Sequence, residues 1–216
     1  MKLCCISDTH RGSKAIQYLY DADVLVFAGD EDILSLGDLI KFLGWFSKFP
    51  HRYKVWIAGN HDLFLEGNYE AVKKLSEEHG VIYLENSEVV IDGFKFYGSP
   101  VTPQFFSWAF MKARGDEITK TWEQIPKDTD VLITHGPSLA KLDINGRGEV
   151  CGCYDLGRFI KKIRPLVHIF GHIHGSYGKM EEKGIQYVNC SLVNEHYDLA
   201  NEPIVVEIQK REAKNG

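Results

Sequence analysis

The sequence has no apolar run that approaches the roughly 20 residues of a membrane-spanning helix, because charged residues or glycine interrupt every candidate. The apolar start of the chain ends at Ser7-Asp8, well short of the apolar region of a signal peptide. Internal repeats, low-complexity segments and proline-rich or serine-rich linkers are also missing. We therefore expect no contact with a membrane, a single domain over residues 1–210, and a frayed tail at 211–216.

Cysteine is scarce, with five in 216 residues, an odd number in a chain long enough to fold without cross-links. A disulfide framework is therefore not expected, and a reducing, cytoplasmic location is favoured. Cys151-Gly-Cys153 lacks the two-residue spacer and the second ligand pair of a structural zinc site, so we interpret these residues as loop cysteines.

A large excess of charge is missing as well, since 25 Lys and Arg face 30 Asp and Glu, which leaves a net charge of −5. This balance disfavours a broad surface for extended duplex nucleic acid, although a local site for phosphate remains compatible with it. The oligomeric state has no signature in the sequence.

What the sequence does contain is a series of short apolar runs separated by helical patterns, which predicts a layered α/β domain. The runs that predict buried strands are Lys2–Ile6, Val24–Ala28, Tyr53–Ala58, Val131–Thr134 and Leu166–Phe170. The predicted helices are Ile33–Lys48, Tyr69–His79 and Tyr154–Arg164, and the first of them has an apolar face formed by Ile33, Leu36, Ile40, Leu43 and Phe46.

A second pattern predicts antiparallel strands. Asp92-Gly93 marks a tight hairpin between two short runs. The strands of this second set are Val81–Leu84, Glu88–Ile91, Lys95–Tyr97, Ile185–Asn189 and Ile204–Ile208. We therefore expect two mixed sheets packed face to face, with helices on the outside.

Residues able to bind metals occur where the predicted strands end. They are Asp8, His10, Asp30, Asn60, His61, Asp62, His135, His172 and His174. In open α/β sheets ligands bind outside the carboxyl ends of the strands, so these loops are expected to converge on one crevice.

The residue types predict the chemistry of that crevice. Three or four nitrogen and oxygen ligands per ion, with one shared carboxylate, would hold two divalent cations about 3.5 to 4 Å apart. A mixture of imidazole and carboxylate suits Mn, Fe, Zn or Ni better than Ca or Mg. Two such ions polarise a phosphoryl group and generate a hydroxide nucleophile near neutral pH.

Five motifs, taken together, resemble the motif set of the calcineurin-like metallophosphoesterase superfamily. They are Asp8-x-His10, Gly29-Asp30, Gly59-Asn60-His61-Asp62, Thr134-His135-Gly136 and Gly171-His172-x-His174. Further stretches resemble its metallophosphoesterase-domain-containing branch: 97–100, 105–110, 125–130, 134–137 and 170–174. The resemblance implies a four-layer αββα sandwich, a dinuclear centre, and hydrolysis of phosphodiesters, including cyclic nucleotides.

The resemblance also implies a role for each residue. One metal would be held by Asp8, His10 and His174, the other by Asn60, His135 and His172, and Asp30 would bridge them. His61 would donate a proton to the leaving oxygen or stabilise developing charge, and Asp62 would orient it. Asp32 stands where many members of the superfamily have a different spacing, so its role stays open.

Two segments near these motifs are candidates for substrate contact. Phe105 and Trp108 belong to an aromatic stretch that could stack on a nucleobase, although such aromatics also fill cores. Arg114 follows this stretch and could pair with phosphate. Arg147 lies in the glycine-rich stretch 145–149, which is either a lid over the substrate or an ordinary turn.

The leading hypothesis is therefore a phosphodiesterase that depends on two divalent ions, with manganese foremost, and that hydrolyses cyclic nucleotides or related small phosphodiesters by attack of a metal-bridging hydroxide. A nuclease or phosphatase acting on nucleic-acid ends is one alternative. A scaffold of the same fold that binds partner proteins without catalysis is the other.

Overall fold

The computed structural model describes residues 1–211 of the chain. The strands are β1 (Lys2–Ile6), β2 (Val24–Ala28), β3 (Tyr53–Ile57), β4 (Ile82–Tyr83), β5 (Ser87–Ile91), β6 (Phe94–Ser99), β7 (Thr102–Pro103), β8 (Met111–Lys112), β9 (Val131–Thr134), β10 (Val167–Phe170), β11 (Gly178–Glu182), β12 (Ile185–Asn189) and β13 (Ile204–Glu207). The helices are α1 (Leu36–Phe46), α2 (Tyr69–Glu78), α3 (Asp116–Trp122) and α4 (Tyr154–Ile163), with short 3₁₀ turns at Ser13–Ala15 and His174–Ser176.

Two mixed sheets carry the fold. The first has the order β13-β1-β2-β3-β4, in which only β13 runs antiparallel to its neighbour. The second has the order β11-β12-β10-β9-β6-β5, with a parallel centre and an antiparallel strand at each edge. The predicted hairpin joins β5 to β6, and both turn residues, Asp92 (φ 46°) and Gly93 (φ 82°), have the left-handed backbone of a tight hairpin turn.

Three apolar clusters make the fold a four-layer sandwich. The central cluster lies between the sheets and contains Val26 and Val55 of the first sheet together with Ile133 and Ile169 of the second. The second cluster packs α1 and α2 on the outer face of the first sheet. The third packs α3 and α4 on the outer face of the second sheet. The predicted αββα architecture is therefore confirmed.

The buried face of α1 differs from the predicted one. The helix begins at Leu36, after Ser35 accepts a hydrogen bond from the amide of Asp38, and it buries Leu39, Phe42, Leu43 and Phe46. Leu36 and Ile40, predicted on the apolar face, are 48% and 46% exposed. The ring of Phe42 lies 4.9 Å from the rings of both Phe27 and Trp56. This aromatic packing turns the helix so that the Phe42 side faces the sheet.

Sequence patterns missed α3 and β11. Helix α3 is only seven residues long and buries Ile118, Thr121 and Trp122 within a largely polar segment. Strand β11 has the sequence GKMEE and lies at the edge of its sheet, where a charged strand needs no apolar alternation.

Arg211, the first residue of the segment predicted as a frayed tail, is held by hydrogen bonds to the rest of the domain. The guanidinium of Arg211 donates hydrogen bonds to the carbonyl oxygens of Arg164, Pro165 and Gly184. Residues 212–216 of the predicted tail lie outside the described part of the chain. Among the described helices, none has the length and apolar character needed to cross a membrane.

The backbone of Gly98 in β6 lies directly against side chains of the first sheet and of the segment after β4. A methyl group at this position would lie 2.5 Å from Leu84 Cβ and 2.7 Å from Ile57 Cγ2, closer than carbon atoms pack. The absence of a side chain here lets β6 lie against β3 of the opposite sheet, so the spacing of the central layer depends on this glycine.

We expect Gly98→Ala to lower the free energy of unfolding by about 1–3 kcal/mol, because one added methyl group overpacks a rigid core. Chemical denaturation monitored by circular dichroism measures the change. The matched control is Gly44→Ala in α1, where the new methyl group meets open space. That substitution should raise stability by about 0.5–1 kcal/mol, because alanine is the better helix former. Equal effects of the two substitutions would contradict this account of the sheet spacing.

Candidate metal centre

The predicted metal ligands come together where the parallel strands of both sheets end. From the first sheet, Asp8 follows β1, Asp30 follows β2 and Asn60 follows β3. From the second sheet, His135 follows β9, whereas His172 and His174 follow β10. A bridge between Ser7 and Ser191 joins the ends of the two sheets beside them. The loops converge because parallel strands deliver all their carboxyl ends to one edge.

Glycines let these loops approach one another. A Cβ atom on Gly59 would lie 2.2 Å from Asp30 Oδ1, and one on Gly171 would lie 1.9 Å from Asp8 Oδ2. The carboxylates therefore pack directly on the backbone of the neighbouring motif. Asp8 (φ 49°), Asp30 (φ 66°) and His172 (φ 69°) also adopt left-handed backbone conformations, a form of strain that concentrates at functional sites.

The first ligand group contains Asp8, His10 and His174, whose ligand atoms lie within 4.8 Å of one another. His174 Nε2 lies 3.3 Å from Asp8 Oδ1 and 3.4 Å from His10 Nε2. Burial opposes ionisation of Asp8, but the hydrogen bond and charge of His174 outweigh it and hold the pKa of the carboxyl well below its usual value. Asp8 is therefore an anionic ligand placed between imidazoles.

The second group contains Asp30, His135 and His172, with Asn60 beside it. His135 Nδ1 lies 2.8 Å from the carbonyl oxygen of Ala28, which can only accept, so Nδ1 carries the proton. His135 Nε2 then faces Asn60 Oδ1 at 3.0 Å and Asp30 Oδ2 at 3.1 Å. Burial, followed by the charge of His135, lowers the pKa of His172 to about 3, which keeps its imidazole neutral.

Asp30 lies between the two groups. Its Oδ2 atom is 3.1 Å from His135 Nε2 and 3.9 Å from His10 Nε2, whereas its Oδ1 atom accepts the backbone N–H of His61 at 2.8 Å. Burial alone would raise the pKa of Asp30, but the charge and hydrogen bond of His135 lower it below the usual value. Asp30 thus has the position of a bridging ligand.

The donor atoms fit divalent cations. In its neutral form His135 presents a lone pair to two oxygen atoms that are themselves acceptors, so no hydrogen atom lies between the three. A positive charge must fill this gap. A proton can do so, since burial is outweighed by the charge of Asp30 and the pKa of His135 rises to about 9. A metal ion satisfies all three atoms at once, because metal ligands are deprotonated.

The carboxylate that contacts His61 is Asp32, whose role the sequence left open. Asp32 Oδ1 accepts a hydrogen bond from His10 Nδ1 at 2.9 Å and lies 3.2 Å from His61 Nδ1. Burial is outweighed by these two contacts, which hold the pKa of Asp32 well below its usual value. Asp32 therefore directs His10 Nε2 toward the metal centre and holds the ring of His61.

The expectation that Asp62 orients His61 is wrong. The two oxygens of Asp62 accept four backbone N–H groups, which are those of Asp30, Glu31, Ile33 and Gly59. Burial and then the charge of Asp30 raise the pKa of Asp62, whereas the amides oppose this rise. Asp62 shapes the loop that carries Asp30, and its carboxylate forms no hydrogen bond or ion pair with the His61 ring.

The aromatic segment 105–110 divides between the site and the core. Trp108 stacks on the ring of His61 at a centroid distance of 4.2 Å, and Phe105 lies 5.5 Å from the ring of His172. Phe105, Phe106 and Trp108 are 47%, 71% and 36% exposed, whereas Phe110 is buried. The exposed rings therefore form one wall of the metal centre, and only the end of the segment packs into the core.

The two arginines proposed as substrate contacts lie in other loops. Arg114 donates hydrogen bonds to the carbonyl oxygens of Cys151 and Gly152, each at 3.0 Å. Arg147 is exposed in a turn that Asn145 closes through the amides of Arg147 and Glu149. Neither guanidinium is shown in contact with the histidines of the centre.

Sequence reasoning missed Tyr197, whose ring lies edge-on to His10 at 4.7 Å and to His174 at 5.2 Å. The residue has a left-handed backbone (φ 64°) in the loop between β12 and β13, and no motif surrounds it.

Comparisons with known proteins agree with this geometry. The Calcineurin-like phosphoesterase family model matches residues 1–176. Metallophosphoesterase domain-containing protein 1 of Homo sapiens is 37% identical over 231 residues, which cover 96% of this chain and 71% of that protein. A UPF0046 protein of Caenorhabditis elegans is 36% identical over 224 residues, covering 98% of this chain and 76% of the relative.

A solved structure shares the fold. The phosphopantetheinyl hydrolase of Mycobacterium tuberculosis superposes with a TM-score of 0.64 at 16% identity, over 91% of this chain and 90% of that one. Motifs, strand-end geometry and sequence similarity lead to the same assignment: the chain belongs to the calcineurin-like metallophosphoesterase family.

Proposed function

We propose that this protein is a phosphodiesterase that depends on two divalent cations and hydrolyses small phosphodiesters, with cyclic nucleotides as the leading substrate class. The observation that supports it most directly is the placement of the Asp30 carboxylate between His10 of the first ligand group and His135 of the second. Family membership supports hydrolase chemistry. The identity of the substrate is the finer part of the proposal.

Asp8, His10 and His174 would hold one cation, Asn60, His135 and His172 the other, and Asp30 both. When bound, two such cations polarise phosphoryl oxygens and make water nucleophilic near neutral pH. Imidazole, carboxylate and amide ligands together suit manganese, which we propose first, as well as iron, zinc or nickel.

Other residues of the chain position the metal ligands and supply the proton for the leaving group. Asp32 holds His10 by its Nδ1–H, and this leaves His10 Nε2 free as a ligand. His61 stands beside the bridging Asp30, with its ring clamped between Asp32 and Trp108. From this position we propose that His61 donates a proton to the leaving oxygen of the ester.

The aromatic wall supports a substrate with a ring. Phe105 lies beside His172 and Phe106 lies beside Phe105, and both rings are exposed. A nucleobase can stack on such faces without hydrogen-bond recognition. A simple dialkyl phosphate would leave this wall unused, so we propose that it binds the base of a cyclic nucleotide.

Metal dependence tests the centre. Protein loaded with Mn²⁺ should hydrolyse bis-p-nitrophenyl phosphate, and Asp30→Ala should lower kcat/KM by about 1,000-fold, because several kcal/mol of charge stabilisation is lost. Metal analysis should find about two ions per wild-type chain, by the usual stoichiometry of such sites. Asp128→Ala, which removes a carboxylate that is 73% exposed, is the control and should change neither quantity. An active Asp30→Ala enzyme would contradict the proposal.

The role of His61 is tested through the leaving group. His61→Asn should lower kcat by about 100-fold or more for 2′,3′-cyclic AMP, whose leaving alkoxide needs a proton. The loss should be much smaller for bis-p-nitrophenyl phosphate, whose p-nitrophenolate leaves without help. Metal content should not change. If both substrates lost the same factor, His61 would act by stabilising charge and not as a proton donor.

A substrate panel tests the aromatic wall. Wild-type enzyme and Phe105→Ala/Phe106→Ala should be compared on 2′,3′- and 3′,5′-cyclic nucleotides, mononucleotides and single-stranded DNA, each with Mn, Ni and Zn. We expect cyclic nucleotides to be cleaved fastest. The double variant should raise their KM by about tenfold, since stacking contributes about 1–3 kcal/mol per base. The double variant should change the KM for methyl p-nitrophenyl phosphate, a substrate without a nucleobase, only slightly.

Other results on the same panel would select the alternatives. Preferential, salt-sensitive cleavage of DNA ends would favour a nuclease. A folded protein with almost no bound metal and no hydrolysis of any substrate would favour a scaffold.

A further inference from the structure

A cavity of about 480 Å³, separate from the metal centre, lies on the outer side of the second sheet. It is bounded by α4, by the turn between β11 and β12, and by the segment Ser138–Lys141. None of its lining residues belongs to the metal centre. Its volume is in the range of small-molecule sites.

The cavity is strongly basic in a chain that is acidic overall. Five cationic side chains line it, Lys141, Arg158, Lys161, Arg164 and Lys183, against the single carboxylate of Glu182. That carboxylate pairs with Lys141. In the described part of the chain, no carboxylate lies within ion-pair distance of Arg158, Lys161 or Lys183. Because the whole chain has a net charge of −5, its composition does not indicate this local excess of positive charge.

Helix α4 places three of the lining residues on one face. Tyr154, Arg158 and Lys161 are spaced i, i+4 and i+7 on α4, so they project from one face of the helix. Gly157 lies between them and leaves room above the loop at Leu139. Across the cavity, Arg164 Nη2 donates to the carbonyl oxygen of Lys183 at 3.0 Å, which ties the end of α4 to the strand turn.

The opposite wall is apolar and aromatic. Ile185 and Tyr187 are buried in the wall, and Lys141 Nζ lies 5.4 Å from the centroid of the Tyr187 ring. Tyr154, at the rim, is 60% exposed. Because Tyr187 is buried beneath Lys141, the ring open to a ligand is that of Tyr154, and the cavity combines this ring with a concentrated positive charge.

We propose that this cavity is a second binding site, for a nucleoside diphosphate or a phosphorylated small molecule of similar size and build. Phosphate groups match the site because they concentrate several negative charges in a small volume and pair with the planar fork of arginine through two hydrogen bonds. The exposed ring of Tyr154 at the rim would stack on the base. The site does not depend on the proposed catalytic activity, since it shares no residue with the metal centre.

Binding can be measured by isothermal titration calorimetry on the full chain at 0.15 M salt, with ADP and with pyrophosphate as probes. EDTA-treated protein separates this site from the metal centre, where a nucleotide needs the cations. We expect one ADP per chain in EDTA, and weaker binding of pyrophosphate. Arg158→Ala/Lys161→Ala should weaken ADP binding by about tenfold or more, because hydrogen bonds between charged groups are lost.

The matched control is Lys73→Ala/Lys74→Ala, which removes two exposed cations from α2 on the other side of the sandwich. It should leave ADP binding unchanged, and circular dichroism should show both double variants folded. Three results would overturn the proposal: no ADP binding below 1 mM in EDTA, equal loss of binding in the two double variants, or pyrophosphate binding as tight as that of ADP.

Discussion

The structure depends on placing several carboxylates together in a buried seam between two sheets. Asp8, Asp30 and Asp62 are almost completely buried within one set of loops. Buried charges are tolerated only when they are paired and hydrogen-bonded. Asp62 receives four amide hydrogens, whereas Asp8 and Asp30 face imidazoles and leave the remaining positive charge to be supplied by a cation.

The packing of the two sheets makes that seam rigid. The first sheet brings four of the seven ligands and the second sheet three, so neither sheet forms the centre alone. The central apolar layer sets the distance between them, and the bridge from Ser7 to Ser191 joins the ends of β1 and β12 beside the ligands. A ligand set built on strand ends keeps its geometry better than one built on long loops, because the strands cannot move without breaking the core.

Much of this organisation was predictable. Most of the strands, the two mixed sheets and the gathering of the strand-end Asp, Asn and His residues follow from the apolar runs, since a parallel sheet brings its carboxyl ends together, and the resemblance to the family selects the seven proposed metal ligands among them. The partner of His61 was not predictable. Asp62 is adjacent to it in sequence, but the turn after β3 directs that side chain to the backbone of the Asp30 loop, and Asp32 arrives from another strand. The division of the aromatic segment, with Phe110 in the core and Trp108 on His61, likewise depends on contacts between distant segments.

The sequence by itself determined the class of fold and the chemical character of the centre, because both depend on residue type and on order along the chain. The tertiary structure decided which carboxylate holds which histidine, which aromatic rings stay exposed, and where the basic cavity forms. Those features arise from side chains that are far apart in sequence: Lys141, Arg158 and Lys183 meet only after α4 has packed against the second sheet. Periodicity describes a single element, and it carries no information about how the elements pack around one another.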